Sequence, residues 1–214
     1  MKIKKIGHCC LLIETGKIKI LTDPGAFTAR AHKDIKNIDI ILITHEHADH
    51  LHIDSLAEII SNNPNVKVLT NTAVGKLLSG KSITHEILEG RETKDVLGVL
   101  IESFDSEHEE IFEEVGQVQN TGYFIDNKLF YPGDAYCNPN KKVEVLALPV
   151  AGPWCKIPDA IRYALLLKPN KVFPVHDGML EEGKIGGTYK VPEKVLTENG
   201  IEFIAMLAGD EREF

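Results

Sequence analysis

An α+β fold is what this 214-residue sequence predicts: two sheets with helices outside them, in one domain covering residues 1–214. Three observations carry that expectation. Short alternating or continuously apolar runs recur along the chain, a few stretches of helical spacing fall between groups of them, and nothing reads as linker, repeat or low-complexity sequence.

The elements follow in order. Ile3 to Ile6, Cys10 to Glu14 and Lys17 to Leu21 read as strands, the last two joined by a Thr15-Gly16 turn. Asp23-Pro24-Gly25 breaks the pattern, and a polar loop with Arg30, His32 and Lys33 follows. Ile38 to Ile43 is nearly all β-branched, as a buried interior strand is. Asp54 or Ser55 can cap a helix running to about Asn62, which Asn63-Pro64 stops. Val66 to Leu69 is a strand, and Thr72 to Leu78 a short helix ended by Gly80. Strands are expected at Thr84 to Leu88, Val96 to Ser103 and Gly122 to Ile125, then across an Asp126-Asn127-Lys128 turn at Leu129 to Tyr131. Val143 to Pro149 is a further buried strand. Pro158 opens a helix through Lys168, and Lys171 to Pro174 is a strand that leads to His176. Gly178 to Gly187 reads as a mobile flap or a long turn, Val191 to Asn199 as a helix closed by Gly200, and Ile201 to Leu207 as the last strand.

Composition narrows the function classes. Apolar residues make up 43% and charged residues 26%, an ordinary globular balance. A formal net charge of −8 argues against non-specific nucleic-acid binding, which needs cations to displace phosphate counterions. No run is long enough to cross a bilayer, and the start of the sequence lacks the apolar stretch of a signal peptide, so the cytoplasm is the expected compartment. Cys9, Cys10, Cys137 and Cys155 show no CxxC spacing, which fits reduced thiols.

The chemistry concentrates where the Ile38–Ile43 run ends, in Thr44-His45-Glu46-His47-Ala48-Asp49-His50. In an extended segment His45 and His47 project to one side and can chelate one ion. Small Ala48 lets the chain turn and aim Asp49 and His50 at a neighbouring one. Helical ligand pairs recur at three or four residues instead, so this is not the HExxH arrangement. The bland alternative is a solvated histidine-rich loop, and chance seldom supplies His-x-His-x-Asp-His straight after an apolar strand. His108, Asp134 and His176 also follow strands, each weak alone.

Together these residues resemble the signature of the metallo-β-lactamase superfamily. The likeness extends to Gly7-His8 before Leu11-Leu12-Ile13-Glu14, to Thr22-Asp23-Pro24, to Gly133-Asp134 and to Pro174-Val175-His176. It implies a four-layer αβ/βα sandwich of two mainly antiparallel sheets with helices outside, and metals at one edge between the sheets. It implies one metal on His45, His47 and His108, a second on Asp49, His50 and His176, and Asp134 bridging them. The short chain most resembles the branch with L-ascorbate-6-phosphate lactonase and small metal-dependent hydrolases, and more distantly N-acyl phosphatidylethanolamine phospholipase D. Antibiotic-cleaving members often place a Cys in the second sphere, flavodiiron reductases put an acid where His47 stands, and RNA-processing members carry extra regions this chain is too short to hold.

The expected chemistry is hydrolysis of an ester, lactone or phosphodiester in a small, phosphorylated or otherwise anionic molecule. Two divalent ions, zinc first and manganese or iron next, would generate the hydroxide, with Asp49 orienting the water and accepting its proton. The competing expectation is a mononuclear iron dioxygenase acting on a sulfur substrate, which needs only His45, His47 and His108. Asp23 is expected to support the site from behind, and Asp39 to be a strand-start residue. His8 stands either at the substrate or in a structural hydrogen bond; Trp154 and Lys156 either line the pocket or pack and solvate. His32, His52 and His85 are expected to be ordinary surface histidines.

Overall fold

In a computed structural model, which describes residues 1–181 and 183–214, the chain forms two seven-stranded sheets. The first contains β1 (Lys2–Gly7), β2 (Cys10–Thr15), β3 (Ile18–Thr22), β4 (Ile40–Leu42), β5 (Lys67–Thr70) and β6 (Glu86–Ile87). The second contains β7 (Thr93–Val96), β8 (Val99–Glu107), β9 (Gln119–Ile125), β10 (Leu129–Tyr131), β11 (Val145–Pro149), β12 (Lys171–Val175) and β13 (Glu202–Phe203). A strand the sequence did not announce, β14 (Glu211–Glu213), closes the first sheet beside β1, giving the order β14-β1-β2-β3-β4-β5-β6; the second runs β13-β12-β11-β10-β9-β8-β7.

The sheets are mixed rather than mainly antiparallel. Each has three antiparallel pairings at one end and three parallel pairings at the other. Parallel neighbours need a crossover, and helices supply several of them: α1 (Ala29–His32) lies between β3 and β4, α2 (Ile53–Asn62) between β4 and β5, α3 (Thr72–Gly80) between β5 and β6, α4 (Ile157–Leu167) between β11 and β12, and α5 (Ile185–Glu198) between β12 and β13. One apolar cluster fills the space between the sheets, with Ile13, Ile40 and Leu69 from one and Ile101, Tyr123, Val145 and Phe173 from the other. Two further clusters pack α4 and α5 on the outside of the second sheet, and α2 and α3 outside the first.

Local departures from expectation have local causes. The single strand foreseen over Val96–Ser103 is a hairpin: Leu97 and Gly98 both turn left-handed (φ 55° and 87°) between β7 and β8. Helix α2 starts at Ile53 with His52 as its cap, the imidazole Nδ1 accepting from the Ser55 N–H at 3.3 Å, rather than with Asp54 or Ser55. The stretch 178–187 is not one loop, since its end is already the first turn of α5, and Glu182 within it lies outside the described residues. His32 is fully buried rather than on the surface, clamped between Thr28 Oγ1 (2.9 Å) and Ser55 Oγ (2.9 Å), and so ties α1 to α2. His52 and His85 are partly buried. No helix among the described residues is long and apolar enough to cross a membrane.

Lys5 reverses the usual pattern. The alternation of β1 turns it inward, where it is fully buried and reaches Pro174 O (2.8 Å), Met206 O (3.0 Å), Tyr189 Oη (3.2 Å) and Asp177 Oδ2 (2.6 Å). Burial lowers its pKa while Asp177 works to raise it. A buried cation without such partners would be expelled, so this set fixes β1 against the end of β12, one residue from His176.

Candidate metal centre

The parallel halves of both sheets, joined by the end of β8 from an antiparallel half, deliver the site. β4 ends at Leu42 and runs into His45–His50; β10 ends at Tyr131, just before Asp134; β11 leads to Gly152 and Trp154; β12 ends at Val175, just before His176; β8 ends beside His108. Parallel strands present these ends side by side, so residues far apart in the chain share one edge.

All seven sequence-singled residues meet there. Asp134 is the hub: its Oδ2 lies 2.7 Å from His176 Nε2, 3.3 Å from His108 Nε2 and 3.9 Å from His45 Nε2, while its Oδ1 is 3.2 Å from His50 Nε2. Asp49 Oδ2 is 3.5 Å from His176 Nε2 and 3.9 Å from His50 Nε2. The His47 ring centroid is 4.6 Å from that of His108 and 4.8 Å from that of His45. One ligand atom from each of His45, His47 and His108 fits within 4.8 Å of the others, as does the set His45, His50 and Asp134. Asp134 thus touches members of both triads that the sequence resemblance separates.

Hydrogen bonds behind the rings fix which nitrogen faces inward. His108 Nδ1 is 2.5 Å from Glu109 O and His176 Nδ1 is 2.7 Å from Ala151 O. A carbonyl only accepts, so both Nδ1 atoms carry the proton and both Nε2 atoms present a lone pair. His50 Nδ1 likewise donates to Asp23 Oδ2 at 2.8 Å. Thr44 Oγ1 gives its proton to Asp23 Oδ2 (2.8 Å) and therefore accepts from His45 Nδ1 at 3.0 Å. The consequence is four inward lone pairs. The Nε2 atoms of His45, His50, His108 and His176, with Asp134 Oδ1, are buried and make no hydrogen bond. Buried polar atoms are nearly always satisfied, and five orphans converging on one point describe a site built for cations.

Electrostatics agree. Burial would raise the Asp134 carboxyl, yet His50 and His176 beside it hold it well below the usual carboxylate range. Burial also opposes ionisation of Asp49, and the His8 hydrogen bond together with His50 and His176 overrides it downward. Burial, then His50, keeps His45 neutral, well below the ordinary histidine range. His50 goes the other way: burial lowers it, but Asp134 and Asp23 together lift it well above that range. Two buried carboxylates demand positive charge: in the metal-free chain a second proton, on His50 Nε2, meets it, and a cation bound there would displace that proton and leave the lone pair. Cys9 lies in the same neighbourhood, and burial pushes its thiol up to about 12, so it stays protonated.

Asp23 is the anchor expected from the sequence. Fully buried, it accepts from the Thr44 N–H (2.8 Å), Thr44 Oγ1 (2.8 Å), His50 Nδ1 (2.8 Å) and Tyr131 Oη (2.5 Å). His8, Asp23 and His176 all hold left-handed backbones (φ 49°, 37° and 60°), an uncommon conformation for non-glycine residues. His8 makes a specific bond: Gly178 N–H donates to its Nδ1 (3.1 Å), so its Nε2–H donates to Asp49 Oδ2 (3.1 Å). Trp154 donates its indole N–H to Asp134 Oδ2 at 3.1 Å and, with His47, Asp49 and Ile111, lines an open cleft of about 320 Å³. Lys156 is exposed at the start of α4, away from that cleft. Sequence reasoning missed Thr44, Tyr131 and Asn120, whose Oδ1 accepts from the Asp134 N–H at 3.0 Å. Thr44 was detectable as the residue preceding the cluster; the other two gave no local signal.

A family model described as the beta-lactamase superfamily domain matches residues 2–176. The chain belongs to the metallo-β-lactamase superfamily. Protein Rv0786c of Mycobacterium tuberculosis is 30% identical over 189 residues, 84% of this chain and 85% of that protein. A UPF0173 metal-dependent hydrolase of Pyrococcus horikoshii is 28% identical over 193 residues, 82% of this chain and 84% of its own. Among solved structures, Igni18, a metallo hydrolase from Ignicoccus hospitalis, superposes with a TM-score of 0.75 at 19% identity, covering 100% of this chain and 98% of its own, a likeness of fold.

Proposed function

We propose that this chain is a metal-dependent hydrolase that cleaves an ester, lactone or phosphodiester bond in a small molecule. In this reading His45, His47 and His108 hold one divalent ion, Asp49, His50 and His176 hold a second, and Asp134 is shared. The observation that carries it is the convergence of five buried, unpartnered atoms on one point. The family and the name of the Pyrococcus horikoshii relative support the same class of chemistry. The imidazole and carboxylate donors suit zinc, and also manganese or iron.

Divalent ions held by these residues would supply Lewis acidity toward the scissile group and would acidify water at neutral pH. The remaining tasks belong to the protein. Asp49 is the one carboxylate of the set that solvent reaches, its side chain 22% exposed against 2% for Asp134. Kept ionised, and aimed by the His8 Nε2–H, it orients the attacking water and accepts its proton. Trp154 holds Asp134 and walls the cleft against bulk water.

A mononuclear iron dioxygenase needs only His45, His47 and His108. It leaves no task for the unpartnered Nε2 atoms of His50 and His176, which favours the hydrolase. Replacement of His45 or Asp134 by Ala is expected to remove bound metal and turnover together, measured by elemental analysis and by assays on lactones, esters and phosphodiesters. A metal-free Asp134→Ala protein with full activity would refute the mechanism.

A further inference from the structure

Behind His8 lies a second chamber of about 830 Å³, larger than the cleft over Asp49 and Asp134 and within the range of small-molecule sites. Elements distant in sequence enclose it: the end of β1 (Ile6), the approach to α1 (Phe27) and α1 itself (Ala31), the start of α5 (Ile185, Gly186) and Leu207. His8 stands between chamber and cleft, which share no lining residue among the described ones. It lines the chamber, its Nε2 touches Asp49 Oδ2 at 3.1 Å, and its ring centroid is 4.2 Å from that of His176. Gly178 lines the same wall, and a Cβ there would come within 2.9 Å of the His8 Cβ, so glycine lets the chain close on His8.

The polar side chains in the lining are already engaged, and this decides what the chamber can hold. Asp177 is bonded by Lys5 and Tyr189, Thr28 by His32, and His8 by Asp49 and Gly178. Arg30, which also lines it, is exposed. Most of what is left to face an occupant is apolar surface, which rewards burial of hydrocarbon. We propose that the chamber takes the apolar arm of the substrate, an alkyl or acyl chain reaching past His8 from a scissile group over Asp49. The proposal rests on the hydrolase reading for the head group and adds the substrate class: an amphiphile with a hydrocarbon arm.

Alkyl phosphonates test it by binding alone. Calorimetric titration of the zinc-loaded full chain with octylphosphonate and methylphosphonate should show the octyl compound binding at least about tenfold more tightly. Two variants fill the chamber from different walls: Gly186→Leu, in a helix where an added Cβ meets nothing within 4 Å, and Ala31→Phe. Each should erase most of the octyl advantage and leave methylphosphonate affinity unchanged. Equal affinity of the two compounds for the unaltered protein, or an octyl advantage untouched by both variants, overturns the proposal. An intact octyl advantage, lost on filling, in a protein that hydrolyses no octyl-bearing ester, lactone or phosphodiester supports the chamber and sinks the hydrolase reading instead.

Discussion

At the scale of single residues, the groups that matter most are those that orient others. Asp23 touches no substrate-facing space, yet it sets the tautomer of His50 directly and that of His45 through Thr44. Asn at 23 offers one acceptor oxygen and turns an NH₂ toward groups that are themselves donors. Asp23→Asn should therefore weaken zinc binding by about 10–100-fold in a chelator-competition titration while the far-ultraviolet circular dichroism stays unchanged. Unaltered affinity would show that the tautomers are fixed by something else. His32 gives a prediction of a different kind. Burial first, and repulsion from His52 second, drop its pKa to about 4, against 6.5 for an ordinary histidine. Between those values the unfolded chain binds a proton that the folded chain refuses. This contribution is thus complete above pH 6.5 and is lost as pH falls toward 4, by at most about 3 kcal/mol. In denaturant titrations across that window, His32→Gln should show a shallower loss of stability on acidification than the unaltered protein; parallel curves would mean that His32 is not held neutral.

At the scale of elements, legibility followed how local the cause was. Strands announced by alternation or by continuous β-branched runs, such as β2, β4 and β12, appear where expected, and the ligand segment after β4 was readable because its spacing and its strand are contiguous. The extra turn at Leu97-Gly98 escaped because apolar residues continue on both sides of it. β14 escaped because Glu211-Arg212-Glu213 is polar and exposed, and only its register with β1 makes it a strand. His32 looked like a surface residue because its partner Ser55 lies on a different helix, α2, distant in sequence, while Thr28 sits just before α1. Close approach of two segments is equally invisible locally. Gly25 faces the ligand loop so tightly that a Cβ would sit 1.8 Å from the Asp49 carbonyl oxygen. Gly25→Ala should therefore push the Asp49 segment away, costing about 1–3 kcal/mol in thermal or denaturant unfolding and lowering metal affinity as well. Wild-type stability and affinity in that variant would contradict the packing described here.

At the scale of the whole molecule, the two sheets bring their parallel strand ends to one edge, and long-range pairing does what no window of sequence can display. Tyr131 crosses from β10 to Asp23, Tyr123 from β9 to the Ile43 carbonyl at 3.1 Å, and Lys5 from β1 to the end of β12. Each bond joins the sheets near the ligands, so the metal centre and the sheet packing are one structure. Family resemblance, not spacing, is what placed His108, Asp134 and His176 beside the cluster in advance. The most direct test is elemental analysis of metal per chain on freshly purified protein and on Asp134→Ala. The account predicts two equivalents of a divalent metal in the former and loss of metal in the latter. A chain that takes up no zinc, manganese or iron, or an Asp134→Ala protein that keeps both ions, would contradict it.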